Sequence, residues 1–78
     1  MSKVVLYSAE WCGYCKTLKK YLDRDNVDYE LRDVDDPQIR LEMNQKTRGN
    51  QTIPVVFVGD EYEINPSAGK VKRMLKRA

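Results

Sequence analysis

"KVVLYSAEWCGYCKTLKKYLDRDN", residues 3–26, joins an apolar run to a helical repeat and puts both cysteines of the chain at the seam. Val4 to Tyr7 form an unbroken apolar and aromatic run, the pattern of a central strand covered on both faces. From Cys12 onward the period changes. Cys15, Leu18 and Leu22 recur at three and four, Tyr14 and Tyr21 flank that stripe, and Lys16, Lys19, Lys20 and Asp23 fall elsewhere. The spacing predicts an amphipathic helix over residues 12–25, ended near Asp25-Asn26.

Working outward, "DYELRDV" (28–34) alternates with Tyr29 and Leu31 on one face, as in a half-exposed or edge strand. Asp36-Pro37 is a cap and first-turn pair for a second helix, with Ile39 and Met43 on one stripe, Leu41 off it, and Gly49 as the C-cap. "PVVFV" (54–58) reads as a second buried strand, Gly59-Asp60 as a turn, and "EYEI" (61–64) as a short return strand. Asn65-Pro66 is expected to cap a last helix whose Val71, Met74, Leu75 and Ala78 share a face. The order is β-α-β-α-β-β-α, an α/β class with a four-stranded mixed sheet flanked by helices. At 78 residues the chain reads as one domain, residues 1–78.

Composition removes several classes of function. With no histidine, every Ser-His-Asp or Cys-His scheme and every His-ligated metal site is excluded. The N-terminus lacks the apolar core of a signal peptide and no stretch approaches a membrane span. The expectation is a cytoplasmic protein without a membrane partner. Net charge is +2, but acids crowd residues 23–36, and cations (Lys70, Lys72, Arg73, Lys76, Arg77) crowd the tail. A basic tail can bind nucleic acid. Without an aromatic-rich basic face, the better reading is the solvated side of a last helix with cations near its C-terminus, and no nucleic-acid partner is expected.

The Cys12/Cys15 pair admits three readings. As a staple it closes a very short loop, restricting the unfolded chain by about 2 kcal/mol and joining no distant elements. As a metal half-site it lacks two ligands, which only a second copy sharing zinc or an iron–sulfur cluster would supply. The redox reading accounts for more. Where a buried strand hands over to a helix, Cys12 meets free N–H groups and the positive end of the helix dipole. A thiolate is stabilised there and its pKa lowered, making Cys12 the nucleophile, with Lys16 one turn along adding positive charge. Cys15, on the same face and on the apolar stripe, is expected to be buried and to act as the resolving thiol. Gly13 permits the turn, and Trp11 and Tyr14 are expected to wall an exposed sulfur.

"WCGYC" (11–15) after a buried strand, with "TIP" at 52–54, resembles the thioredoxin-fold glutaredoxins, over essentially the whole chain. In that family the proline of "TIP" is cis and faces the cysteines, and the resemblance implies the same for Pro54. It places Thr52, Ile53 and Pro54 with Trp11, Tyr14 and Lys16 at the substrate site. Ile53 would then offer its backbone N–H and C=O to an extended substrate. Glutathione-using members carry acids after the last strand that bind the γ-glutamyl ammonium. Here Asn65-Pro66-Ser67-Ala68-Gly69 has no carboxylate. "GNQTIP" (49–54) with "NPSA" (65–68) is more similar to mycoredoxins, which serve mycothiol, a thiol whose cysteine is N-acetylated.

These features imply a monomeric thiol–disulfide oxidoreductase that reduces protein disulfides or protein–small-thiol mixed disulfides. No tightly bound cofactor is expected. Mycothiol or glutathione would serve as co-substrate, or a flavoprotein reductase would regenerate the dithiol. The alternatives are an electron donor to ribonucleotide reductase driven by thioredoxin reductase, and a dimeric metal or Fe–S module. The Ser-Gly-Phe-Arg-Pro signature usual in the former and the Cys-Gly-Phe-Ser motif of single-cysteine Fe–S glutaredoxins are both missing from the sequence.

Overall fold

A computed structural model describes residues 3–77. Its elements are β1 (Val4–Ser8), α1 (Gly13–Arg24), β2 (Glu30–Asp33), α2 (Pro37–Lys46), β3 (Val55–Val58), β4 (Glu61–Ile64) and α3 (Ala68–Arg77). This is the expected order. The strands form one sheet in the order β2-β1-β3-β4. β1 runs parallel to β2, with Leu6 opposite Leu31, and antiparallel to β3, with Leu6 opposite Val56. β3 and β4 form a hairpin across Gly59-Asp60, where Gly59 takes φ 61, a left-handed value that costs a residue without Cβ little.

Two cores cover the two faces. On one face Leu18 and Leu22 of α1 and Val71 and Met74 of α3 pack on Val4, Leu6, Val56 and Val58. On the other, Met43 of α2 packs with Tyr7, Val34 and Val55. Central β1 thus serves both cores, which explains its continuous apolar run. At the edge, Leu31 shares the Leu6 face but lies beyond the helices and stays half exposed. Tyr29 precedes β2 and packs against the first core.

Two helix ends differ from expectation. α2 is capped at its start by Asp36, whose carboxylate accepts from Gln38 N–H at 2.9 Å, with Pro37 in the first turn. At its end the capping residue is Thr47, not Gly49. Arg48 turns left-handed at φ 58, and Gly49, one residue later, donates its N–H to Asn44 O at 2.7 Å. That six-residue closure is a Schellman motif, in which Gly49 sits two positions past the cap. For α3, Ser67 does the capping expected of Asn65: its hydroxyl accepts from Lys70 N–H at 3.1 Å. Asn65 instead takes φ 53 and donates its N–H to Pro54 O at 2.7 Å, tying the end of β4 to the start of β3. Ala78, expected on the α3 stripe, lies outside the described residues.

A polar network fastens α2 to the sheet. Tyr7, fully buried on β1, donates its O–H to Glu42 Oε2. Arg32 on β2 donates through Nη2 to Glu42 Oε1 at 3.1 Å and through Nη1 to Glu30 Oε2 at 2.9 Å. The Tyr7 hydrogen bond, joined by the Arg32 charge, holds the Glu42 carboxyl below the usual carboxylate range.

Candidate active site

The seam between β1 and α1 is where the sequence places it. Cys12 is the N-cap of α1, with extended backbone at φ −87 and ψ 111. Its Sγ accepts the Cys15 N–H at 3.2 Å, and its C=O accepts from Lys16 N–H at 3.2 Å. Serine, threonine and aspartate usually fill this position with an oxygen acceptor. Here a sulfur occupies it, at the end of the helix where negative charge is favoured.

Both cysteines are free thiols. Cys15 is fully buried. Burial, reinforced by its side-chain hydrogen bond with Cys12, pushes its thiol up to about 12, and the Lys19 ammonium opposes that shift only weakly. The pair is therefore asymmetric in environment. One position departs from expectation: Cys12 is itself only 6% exposed. Tucking the sulfur against the first turn of α1 covers most of it, so Trp11 and Tyr14, at 70% and 73% exposure, stand in solvent around a mostly covered sulfur.

The two cysteines pack in the core shared with α2, beside Tyr7, Ala9, Val34 and Val55, with Ile53 at its margin. The first turn of α1 thus joins the second core, and Leu18 and Leu22 further along the helix join the first. The Ile53–Pro54 peptide is cis, as expected, and Pro54 is buried. Thr52 is exposed and is gripped on both backbone groups by one side chain. Asn50 Nδ2 donates to Thr52 O at 2.9 Å, and Thr52 N–H donates to Asn50 Oδ1 at 3.2 Å. Among the described residues, the N–H and C=O of Ile53 have no hydrogen-bond partner. Lys16 is exposed and its ammonium forms no ion pair among the described residues, while the Lys19 ammonium acts weakly on the Cys15 thiol.

Two grooves flank the pair. The larger, about 590 Å³, is walled by Trp11, by Arg40, Leu41 and Asn44 of α2, and by Ile53. The smaller, about 310 Å³, lies between Tyr14, Thr17 and Tyr21 of α1 and Asn65 and Ser67. Period and spacing in the sequence point to no role for Asn50, Asp35 or the α2 wall. Their partners are 2 to 24 positions away, set by loop geometry that periodicity does not reveal. Among the described residues no group of three or more Cys, Asp or Glu side chains is arranged to hold a metal ion, and no helix is long and apolar enough to cross a membrane.

Comparison with known proteins agrees with this geometry. A family model described as Glutaredoxin matches residues 4–63. Mycoredoxin 1 of Corynebacterium glutamicum is 37% identical over 73 residues, covering 91% of this chain and 90% of its own. A glutaredoxin of Pseudomonas aeruginosa is 35% identical over 63 residues, covering 80% and 74%. Among solved structures, the glutaredoxin of Archaeoglobus fulgidus superposes with a TM-score of 0.81 over 97% of this chain and 88% of that one, at 24% identity. A buckwheat glutaredoxin–glutathione complex gives a TM-score of 0.68 at 26% identity, covering 97% and 70%.

Proposed function

The chain belongs to the glutaredoxin family of thiol–disulfide oxidoreductases, and on that premise we propose that Cys12 and Cys15 carry the chemistry as nucleophile and resolving thiol. The observation that supports these roles is the Cys15 N–H bond to Cys12 Sγ at 3.2 Å, made by a residue whose own thiol is fully buried. Cys12, as thiolate, attacks one sulfur of a substrate disulfide. The substrate S–S bond breaks, a Cys12–substrate disulfide forms, and the electron pair leaves on the other substrate sulfur. Cys15 then attacks Cys12 Sγ, its proton passing to the departing thiolate. The second substrate sulfur leaves, and the protein ends as an intramolecular Cys12–Cys15 disulfide. Two electrons have moved from the protein dithiol to the substrate.

Trp11, Tyr14, Thr52, Ile53 and Pro54 are the proposed substrate contacts. The unpartnered backbone of Ile53, next to the buried cis proline, suits an extended chain adding along that edge. Lys16, exposed one turn after Cys12, is proposed as a further contact that adds positive charge to the site.

For a mixed disulfide between a protein and a small thiol, Cys12 alone takes up the small thiol, and a second thiol molecule releases it. The proposed co-substrate is a thiol whose cysteine amine is blocked, of the mycothiol kind. The support is the smaller groove, where Asn65 to Ala68 bring no carboxylate to meet an ammonium and the Ser67 hydroxyl is engaged in capping α3.

Turnover of an adducted protein with mycothiol, with glutathione, or with thioredoxin reductase and NADPH as reductant tests this. The expectation is a higher kcat/KM with mycothiol than with glutathione. Equal or better turnover with glutathione would overturn the co-substrate assignment and leave the dithiol chemistry standing.

A further inference from the structure

Trp11, the only tryptophan in the chain, stands beside Cys12 with most of its surface in water. Its one polar atom is nevertheless engaged. Trp11 Nε1–H donates to Asp35 Oδ1 at 3.0 Å, across 24 positions of sequence. Asp35 lies in the loop from β2 to α2, and its own N–H donates to Asp33 Oδ1 at 2.9 Å, at the last residue of β2. Val34, between them, donates its N–H to Ser8 O at 2.9 Å at the end of β1. The carboxylate is thus carried on a loop pinned to two strand ends.

An exposed indole without a partner samples several rotamers, and ordering it on binding costs free energy. With the N–H engaged inside the protein, the ring faces are left as an ordered apolar surface. That surface forms one wall of the larger groove, which Leu41 and Ile53 also line.

We propose that Asp35 is a positioning residue of the redox site: its bond holds the Trp11 indole as a fixed wall beside Cys12, against which the polypeptide flanking a target disulfide packs. The occupant is polypeptide because the groove sets apolar Trp11 and Leu41 beside the side chains of Arg40 and Asn44 and opens next to the unpartnered Ile53 backbone. Arg40 is itself fixed there, its Nε donating to Val34 O at 3.0 Å. For its substrate the proposal rests on the oxidoreductase reading above.

The test uses the full chain as wild type, Asp35→Ala, Asp35→Asn, Trp11→Phe and the double Asp35→Ala/Trp11→Phe variant. Two readouts are taken: KM and kcat for insulin disulfides with dithiothreitol as electron source, and the anisotropy of the single indole emission. Asp35→Ala is expected to raise KM about fivefold, the equivalent of one hydrogen bond worth about 1 kcal/mol, with kcat within about twofold of wild type. Its indole anisotropy falls. Asp35→Asn keeps a carbonyl acceptor and restores both readouts. In the Trp11→Phe background, removing the Asp35 carboxylate has no further effect on KM. Unchanged anisotropy in Asp35→Ala, or an undiminished KM effect in the Trp11→Phe background, overturns the proposal. Failure of the wild type to reduce insulin would instead strike the oxidoreductase reading, with the anisotropy still deciding whether Asp35 holds the indole.

Discussion

The backbone N–H of Cys15 donates to the sulfur of Cys12 at 3.2 Å, while the Cys15 thiol itself is fully buried. One residue therefore contributes to the site twice, by its backbone to its neighbour's sulfur and by its side chain to the second step. The two contributions are separable, because a substitution of the Cys15 side chain leaves its N–H in place.

Alkylation reports this asymmetry directly. With iodoacetamide in limiting amount at pH 8, the reduced native protein should be modified at Cys12, leaving Cys15 unlabelled until denaturant is added. Peptide mass spectrometry reads the outcome. Preferential labelling of Cys15 in the native state would contradict the burial argument.

The buried thiol also makes stability depend on pH. Cys15 is raised from an ordinary value of 9.0 to about 12, chiefly by burial. The folded state thus favours the neutral thiol. That stabilisation is complete below the unfolded value and is lost as pH rises from about 9 toward 12. Reduced protein should show a falling urea midpoint between pH 8 and pH 10. The oxidised protein, which has no thiol to titrate, should show a flatter profile. Parallel profiles would refute the assignment.

At the acid end Glu42 is a sensitive group, less exposed to water than Glu30, which is also held low. The Tyr7 O–H and the Arg32 guanidinium hold the Glu42 carboxyl low, so its contribution is present above the unfolded carboxylate range, near 4, and is lost as pH falls through the lower folded value. Tyr7→Phe should cost about 1 to 2 kcal/mol at pH 7, because it leaves the carboxylate short of a partner. The difference from wild type should shrink at pH 3. Urea denaturation at both pH values measures it, and a difference that stays constant would exclude this pair as the source.

A gain in stability is expected at the end of α2. Arg48 holds φ 58, a conformation in which a Cβ crowds the following carbonyl. Arg48→Gly should raise stability by about 0.5 to 1 kcal/mol, the left-handed preference of glycine outweighing its greater unfolded freedom. Thermal melts check the sign, and a lower melting temperature would show that the arginine side chain makes a contact of greater worth.

Much of this was legible in the sequence where period and burial coincide. The run Val4 to Tyr7 and the Cys15, Leu18, Leu22 stripe identify β1 and α1 because each must satisfy a packed face. The cis Pro54 was legible only through family resemblance. Helix ends were less legible, since Ser67 and Asn65, or Thr47 and Gly49, compete for one role and the choice depends on the path of the neighbouring strand. The Trp11–Asp35 bond left no local signal: nothing in "EWC" or "VDD" marks two loops that meet only after β1 and β2 pair. Cys12 was expected to be an exposed sulfur walled by Trp11 and Tyr14, but as the cap its sulfur folds onto the helix it caps.

The measurement that bears most directly on the central claim compares Cys12→Ser and Cys15→Ser on two substrates, a protein disulfide and a protein–small-thiol mixed disulfide. Cys12→Ser should abolish turnover of both. Cys15→Ser keeps the N–H that reaches the Cys12 sulfur and should retain turnover of the mixed disulfide while losing that of the protein disulfide. Survival of either activity in Cys12→Ser, or equal loss of both in Cys15→Ser, would contradict the assignment of nucleophile and resolving thiol.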